Sequence, residues 1–223
     1  MAISASASSA EHSYMIVTDT LLFFAAHDPE LLPFWRNATI GIAGAGGLGS
    51  NIAISLCRAG IGKLIIADFD TVSLTNLNRQ QFYLDQVDLL KVDALRANLL
   101  RISPYTEIRT IPRRVSADNL AQIFGSVDIL IEAFDAAEQK QMLIESWQVL
   151  YPHKPIIAAS GIAGVGDNDS LKTIRLGNLY LCGDGSSELL PGISPVAPRV
   201  AIVANMQANL CLELLLPRPG EKD

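Results

Sequence analysis

TIGIAGAGGLGSNIAISLCRAGIGKLIIADFDTVSLTNLNRQQ, residues Thr39 to Gln81, decides how the rest of the chain is read. Ile40 to Ala43 is a short apolar run without polar alternation, closed by glycine, the pattern of a strand buried on both faces. Gly44-Ala45-Gly46-Gly47-Leu48-Gly49 then fits G-x-G-x-x-G. In that spacing the glycines permit a tight turn, admit backbone amides to a phosphate, and let the following helix pack closely on the strand. Ser50 to Ala59 has helical spacing, with Ile52, Leu56 and Ala59 on one face, and Gly60 ends it. A second strand at Lys63 to Ala67 delivers Asp68 roughly 20 residues past the glycine turn, where a carboxylate accepts hydrogen bonds from ribose hydroxyls.

The glycine turn alone points to a bound nucleotide, and the residues after it narrow the choice. Asp68-Phe69-Asp70-Thr71-Val72 runs into Asn76-Leu77-Asn78-Arg79-Gln80-Gln81, and Lys91-Val92-Asp93-Ala94 opens a helix soon after. A dinucleotide dehydrogenase has no evident need for an arginine and a lysine so close behind the ribose carboxylate. An enzyme that cleaves ATP does, because it must neutralise a phosphate chain while the chain breaks. ATP is therefore favoured over NAD.

The same residues resemble the ubiquitin-activating-enzyme-like superfamily, in its bacterial branch of ThiF, MoeB and HesA proteins. The resemblance rests on Gly44-x-Gly46-Gly47-Leu48-Gly49, Asp68-x-Asp70-x-Val72, Asn76-Leu77-x-Arg79-Gln80 and Lys91, and extends more loosely from about Ile40 to Leu216. It implies an adenylyltransferase that uses ATP and magnesium: a carboxylate attacks the α-phosphate, giving an acyl-adenylate and pyrophosphate. Asp135 matches the family's magnesium aspartate, although it stands in Phe134-Asp135-Ala136 where the family usually has Thr-Asp-Asn. The implied acyl substrate is the C-terminal glycine of a ubiquitin-like sulfur carrier of the ThiS type, in thiamine biosynthesis, and the implied assembly is a homodimer. Adenylylation of a small carboxylate, as in HcgE-like members, and a non-catalytic nucleotide-binding subunit are the alternatives.

Composition sets the outer bounds. At 223 residues, 49% of them hydrophobic and 18% charged, the chain suits a single globular domain with a substantial core. A net charge of −6 argues against a nucleic-acid surface. No apolar run is long enough for a membrane span, and Met1 to Ala10 lacks the pattern of a signal peptide, so a cytoplasmic protein is expected. Residues 1–17 read as a flexible tail and 18–223 as one adenylylation domain, divided into a helical arm at 18–36, a nucleotide-binding core at 39–160 and an antiparallel extension with a C-terminal helix at 161–216. The arm either packs on the domain's flank or is exchanged at a dimer interface. The Arg-rich N-terminal element of many relatives is missing, and Arg36 is the one arginine of this region.

Downstream, Val87 to Ile102, Ala117 to Phe124 and Ala136 to Leu150 read as helices, and Thr106 to Ile111, Val127 to Ile131 and Pro155 to Ala159 as strands. This alternation predicts a Rossmann-like, doubly wound, mainly parallel sheet in a three-layer α/β/α arrangement, with ligands at the carboxyl ends of the strands. Glu132 and Asp135 both fall at such an end. Leu171 to Leu176 and Asn178 to Cys182, split by Gly177, predict an added antiparallel hairpin, and Arg199 to Leu216 an apolar covering helix.

Asp68 is thus the ribose candidate, the stretch from Gly44 to Gly49 the phosphate turn, and Asn76, Arg79, Gln80 and Lys91 the phosphate-side residues, with Asp70 beside them. Arg79, Lys91 and Asp135 would carry the catalysis. Cys182, in a region comparable to the loop that bears a reactive cysteine in related enzymes, is a candidate acyl or thiol site, with an inert, partly buried thiol as the other reading and the one its neighbours favour, since no His or Lys stands beside it. Cys57 and Cys211 read as core. With three cysteines and no Cys-x-x-Cys pair, a four-thiolate zinc site is not expected.

Overall fold

The computed structural model describes residues 19–187 and 194–217. The N-terminal tail expected over residues 1–17 lies outside them. Within the described residues the strands are β1 (Thr39–Ala43), β2 (Lys63–Ala67), β3 (Glu107–Ile111), β4 (Ile129–Glu132), β5 (Ile156–Ala159), β6 (Lys172–Leu176) and β7 (Leu179–Gly183). The helices are α1 (19–24), α2 (Leu32–Asn37), α3 (Gly47–Arg58), α4 (Lys91–Leu100), α5 (Ala117–Phe124), α6 (Ala137–Leu150) and α7 (Ala197–Leu214).

The strands form one sheet in the order β3-β2-β1-β4-β5-β7-β6, parallel except for the β6–β7 pair. Strand residues alternate between two apolar layers. Leu64 and Ile66 join Ile40, Ile42, Ile129 and Ile131 in the layer covered by α3, α4 and α7, while Ile65 and Ala67 join Leu130 and Ile156 in the layer covered by α5 and α6. Burial on both faces is why these strands read as continuous apolar runs. The sequence order reverses at β1, so the carboxyl ends of β1 and β4 open the crevice where ligands of such sheets bind. At the far edge, every residue of β6 is exposed.

Two glycines of the motif answer to steric need. Gly44 has φ +104°, and a Cβ there would stand 2.6 Å from the Ala133 carbonyl oxygen. At Gly49 a Cβ would run into the Gly44 carbonyl, so α3 can pack this close to β1 only without one. The helix also begins earlier than its hydrophobic spacing indicates. Gly47, Leu48 and Gly49 form its first turn rather than a loop before it, because the Gly46 carbonyl already accepts from Ser50 N at 3.0 Å. Likewise α4 starts at Lys91 and not at Val87, since 84–86 is a separate 3₁₀ turn and Asp88, at φ 70°, breaks the path.

The arm packs on the flank of its own chain, at the amino ends of the strands and away from that crevice. Phe23 meets the Tyr105 ring edge-on and Phe24 lies tilted against it, Trp35 Nε1 donates to the Leu212 carbonyl at 3.2 Å, and Arg36 Nη1 donates to the Tyr105 carbonyl at 2.7 Å. Arg36 also lies over the Phe24 ring. Asp28 accepts from the amides of Glu30 and Leu31, so the expected helix start forms a capped turn and α2 itself begins at Leu32.

Candidate functional site

The crevice is a cleft of about 990 Å³, including its mouth, bounded by the ends of β1 to β5 and the start of α7. Gly44, Gly46, Gly47 and Leu48 form its floor, and the free amides at the start of α3 face it with the positive end of the helix dipole. Asp68, Asp70, Arg79, Gln80, Lys91 and Asp135 all line it, although they come from the long connection after β2, the first residue of α4 and the loop after β4.

Asp68 leaves β2 directly into the site. Its carboxylate accepts from Ala45 N at 2.6 Å and Asp70 N at 2.8 Å, so it clamps the glycine turn to its own loop. Burial pushes its pKa up, opposed by those two amides and by Lys91. The segment from Asp70 to Lys91 doubles back on itself: Thr71 bridges Leu90, Val72 N donates to the Leu89 carbonyl at 2.9 Å, and Lys91 N donates to the Asp70 carbonyl at 2.9 Å. This return brings Lys91, only 7% exposed, into the cleft, where its ammonium meets Asp70 Oδ2 at 2.8 Å.

Arg79 and Gln80 are set over the glycine turn by a residue that motif reading passed over. Asn51, on the second turn of α3, donates from Nδ2 to the Gly47 carbonyl at 2.6 Å and to the Arg79 carbonyl at 3.1 Å, and Gln81 Nε2 donates to Asn51 Oδ1 at 2.7 Å. The Arg79 guanidinium is steadied by Asn78 Oδ1 at 2.8 Å. Gln80 Oε1 is buried without a hydrogen-bond partner among the described residues, an acceptor left for a ligand. Asn76 is not among the lining residues. Its Oδ1 accepts from Ser73 N at 3.0 Å and closes the capping box of the turn Leu74–Asn76.

Of the two carboxylates after β4, one serves the cleft and one the fold. Asp135 is exposed and lines the cleft, whereas Glu132 is fully buried, paired with Lys140 and accepting from Phe134 N at 2.7 Å. Glu132 thereby fixes the loop that carries Asp135. Among the described residues no three His, Cys, Asp or Glu side chains group closely enough to hold a metal by themselves. A magnesium ion shared with phosphates needs only one or two carboxylates, and the donor set of Asp135 beside the glycine turn fits that mode.

Cys182 is not a loop residue. It lies inside β7, fully buried in the core layer with Tyr180, its thiol 3.7 Å from Thr173 Oγ1, and burial pushes its pKa up. Of the two readings open for this sulfur the position favours the inert thiol: a thiolate nucleophile needs exposure and a positive neighbour, and Cys182 is buried with neither among the described residues. The native Cys182 thiol is expected to resist iodoacetamide until the protein unfolds, and Cys182→Ala to change any chemistry at the cleft by less than about twofold.

A family model matches residues 19–222 of this sequence. The chain belongs to the ThiF family. It is 32% identical over 175 residues to the adenylyltransferase and sulfurtransferase UBA4 of Eremothecium gossypii, a match covering 78% of this chain and 37% of that protein. With the molybdopterin-synthase adenylyltransferase of Haemophilus influenzae it shares 35% identity over 122 residues, 54% of this chain and 49% of that one. The chain thus spans less than half the length of these curated relatives. In fold it is similar to E. coli tRNA N6-threonylcarbamoyladenosine dehydratase, TcdA, in complex with ATP, with TM-score 0.78 and 22% identity over 86% of this chain and 91% of that one.

Several cleft residues of this ThiF-family chain were not singled out by their sequence pattern. Arg113, Arg114 and Val115 close the β3 side, and Ile162, Pro195 and Val200 form the opposite wall. That wall is braced by a buried ion pair: Arg199 Nη2 meets Asp184 Oδ2 at 2.8 Å with side chains 4% and 6% exposed, and Arg199 Nη1 donates to the carbonyls of Gly166 and Asp167. Burial would raise the Asp184 pKa, but hydrogen bonds from Ser187, Ser186 and Arg199 outweigh it and hold the carboxyl well below the usual range.

Proposed function

We propose that this protein is an adenylyltransferase that activates a carboxylate with Mg-ATP, and that its substrate is the C-terminal glycine of a ubiquitin-like sulfur carrier protein. The observation that carries the reading is the convergence of Asp68, Arg79, Lys91 and Asp135 on one glycine turn, in a chain of the ThiF family. The names of the UBA4 and molybdopterin-synthase relatives support adenylyl transfer, and the ATP complex of the fold neighbour supports the nucleotide. The sequence resemblance favours a ThiS-type carrier of thiamine biosynthesis, whereas the relatives are named for other pathways, so the proposal commits to the carrier class. Residues 18–223 would act as one adenylylation domain and, by the family resemblance, as a homodimer.

In this mechanism Asp68 holds the ribose hydroxyls, while the amides of the glycine turn and the start of α3 meet the phosphates. A carboxylate oxygen of the substrate attacks the α-phosphorus. The bond from the α-phosphorus to the bridging oxygen breaks, and pyrophosphate leaves with the electron pair. Arg79 and Lys91 stabilise the charge that grows on the leaving group, and their fixed geometry means that little reorganisation accompanies the step. Asp135 would hold magnesium, which when bound would partly neutralise the charge of the phosphates. No protein nucleophile takes part, consistent with the buried Cys182.

Intact mass spectrometry of a ubiquitin-like carrier incubated with the protein and Mg-ATP tests the substrate. The expected result is a carrier heavier by one adenylyl group, lost when its terminal glycine is deleted. Unmodified carrier alongside pyrophosphate release with a small carboxylate would overturn the carrier assignment and leave the chemistry standing.

A further inference from the structure

Two arginines line the cleft without a part in the steps above. Arg113 and Arg114 follow β3 directly, and neither forms an ion pair among the described residues. They stand on the loop after β3, whereas Arg79 and Lys91 belong to the connection from β2 into α4. A nucleotide whose ribose rests at Asp68 and whose phosphates run to the glycine turn must direct its base the other way, toward β3. There the wall consists of Phe69, Arg114 and the buried Val115, with the Arg114 guanidinium carbon 5.3 Å from the centre of the Phe69 ring.

The backbone under this pair is tied on both sides. The Ile111 carbonyl accepts from both Asp68 N, at 3.2 Å, and Arg113 N, at 2.9 Å, so the loops after β2 and β3 share one anchor. Asn119 Nδ2 donates to the Arg114 carbonyl at 2.9 Å while Asn119 Oδ1 caps Ser116 N at 2.9 Å. A guanidinium carried on a fixed loop and seated on an aromatic ring is a planar cation prepared to stack.

We propose that Arg114, backed by Phe69, is the stacking surface for the nucleobase and so a binding and specificity residue of this site. The inference rests on the ATP reading above. It assigns Arg114 to the base and not to the phosphates, whose end of the cleft already holds Arg79 and Lys91. Stacking of a base on a guanidinium depends on the plane of the group as well as its charge, which separates the two roles.

The test is calorimetric titration of Mg-ATP into the full chain and its Arg114→Ala, Arg114→Lys and Phe69→Leu variants. Both residues are exposed, so the variants should fold, and their melting temperatures check this. Arg114→Ala is expected to weaken ATP binding by about five- to thirtyfold, with Phe69→Leu in the same direction. Arg114→Lys, which keeps the charge and loses the plane, should still bind about threefold or more weaker than the parent. Binding within about twofold of the parent in Arg114→Ala, or full recovery in Arg114→Lys, would overturn the stacking role while leaving the ATP reading intact. A parent chain that does not bind ATP would overturn both.

Discussion

Arg79→Ala and Lys91→Ala are each expected to lower magnesium-dependent exchange of pyrophosphate into ATP by about a hundred- to a thousandfold, the usual cost of removing one preorganised donor from a charged transition state. Both side chains are held by contacts within the chain. Lys91 is held at the cleft by Asp70 and by the backbone bridge between Thr71 and Leu90, and Arg79 by Asn78 and the Asn51 clamp on its carbonyl. The loss should fall on turnover more than on ATP affinity, because the charge these groups answer develops as pyrophosphate departs. Arg79→Lys should recover only part of the rate, since an ammonium does not reproduce the two-pronged contact of a guanidinium with phosphate. Losses confined to KM, with turnover intact, would assign both residues to ground-state binding.

The second large effect is on stability. Arg199→Ala or Asp184→Ala leaves its partner buried without its counter-charge, with an expected cost of about 3 kcal/mol read from chemical denaturation, because Ser186 and Ser187 still serve Asp184 and the Gly166 and Asp167 carbonyls still serve Arg199. The double replacement Asp184→Leu with Arg199→Leu should recover much of that loss, since it buries no orphaned charge. The pH dependence has a definite sign. The carboxyl of Asp184 is held below its ordinary value, so the stability it contributes is present above the unfolded carboxylate pKa of about 3.9 and is lost as pH falls below it toward the folded value. Asp184→Asn should remove that part of the acid dependence. Because this pair braces Ile162, Pro195 and Val200, milder variants such as Arg199→Lys should also loosen the wall opposite the nucleotide and raise KM for the carboxylate substrate. A denaturation midpoint unchanged in Arg199→Ala would refute the brace.

The sheet was legible because its strands carry a continuous apolar pattern and its helices a 3.6-residue one, with Gly and Pro marking the joins. The glycine turn, Asp68, Arg79, Gln80 and Lys91 were legible because their chemistry is local: a spacing and a residue type imply a position. The rest depended on contacts that no local pattern encodes. Nothing in the neighbourhood of Asp184 announces Arg199, and Cys182 beside a glycine and an aspartate resembles a loop until β7 is seen to extend through Gly183. Glu132 and Asp135 look alike in sequence, and only the burial of the first against Lys140 separates their roles. Two signals were available and passed over. Ser73-x-x-Asn76 has the form of a capped turn, which accounts for Asn76 pointing to the backbone, and Arg113-Arg114 directly after a predicted strand marks a basic rim at the ligand end of the sheet.

Among the described residues no helix is long and apolar enough to cross a membrane. The most direct test of the central claim is exchange of labelled pyrophosphate into ATP with magnesium and a ubiquitin-like carrier. Exchange that requires a carboxylate substrate, and that falls to background in Asp135→Ala and Arg79→Ala while both variants keep their fold, is the predicted result. An intact protein that binds ATP yet supports no exchange with the carrier or with any small carboxylate would contradict it.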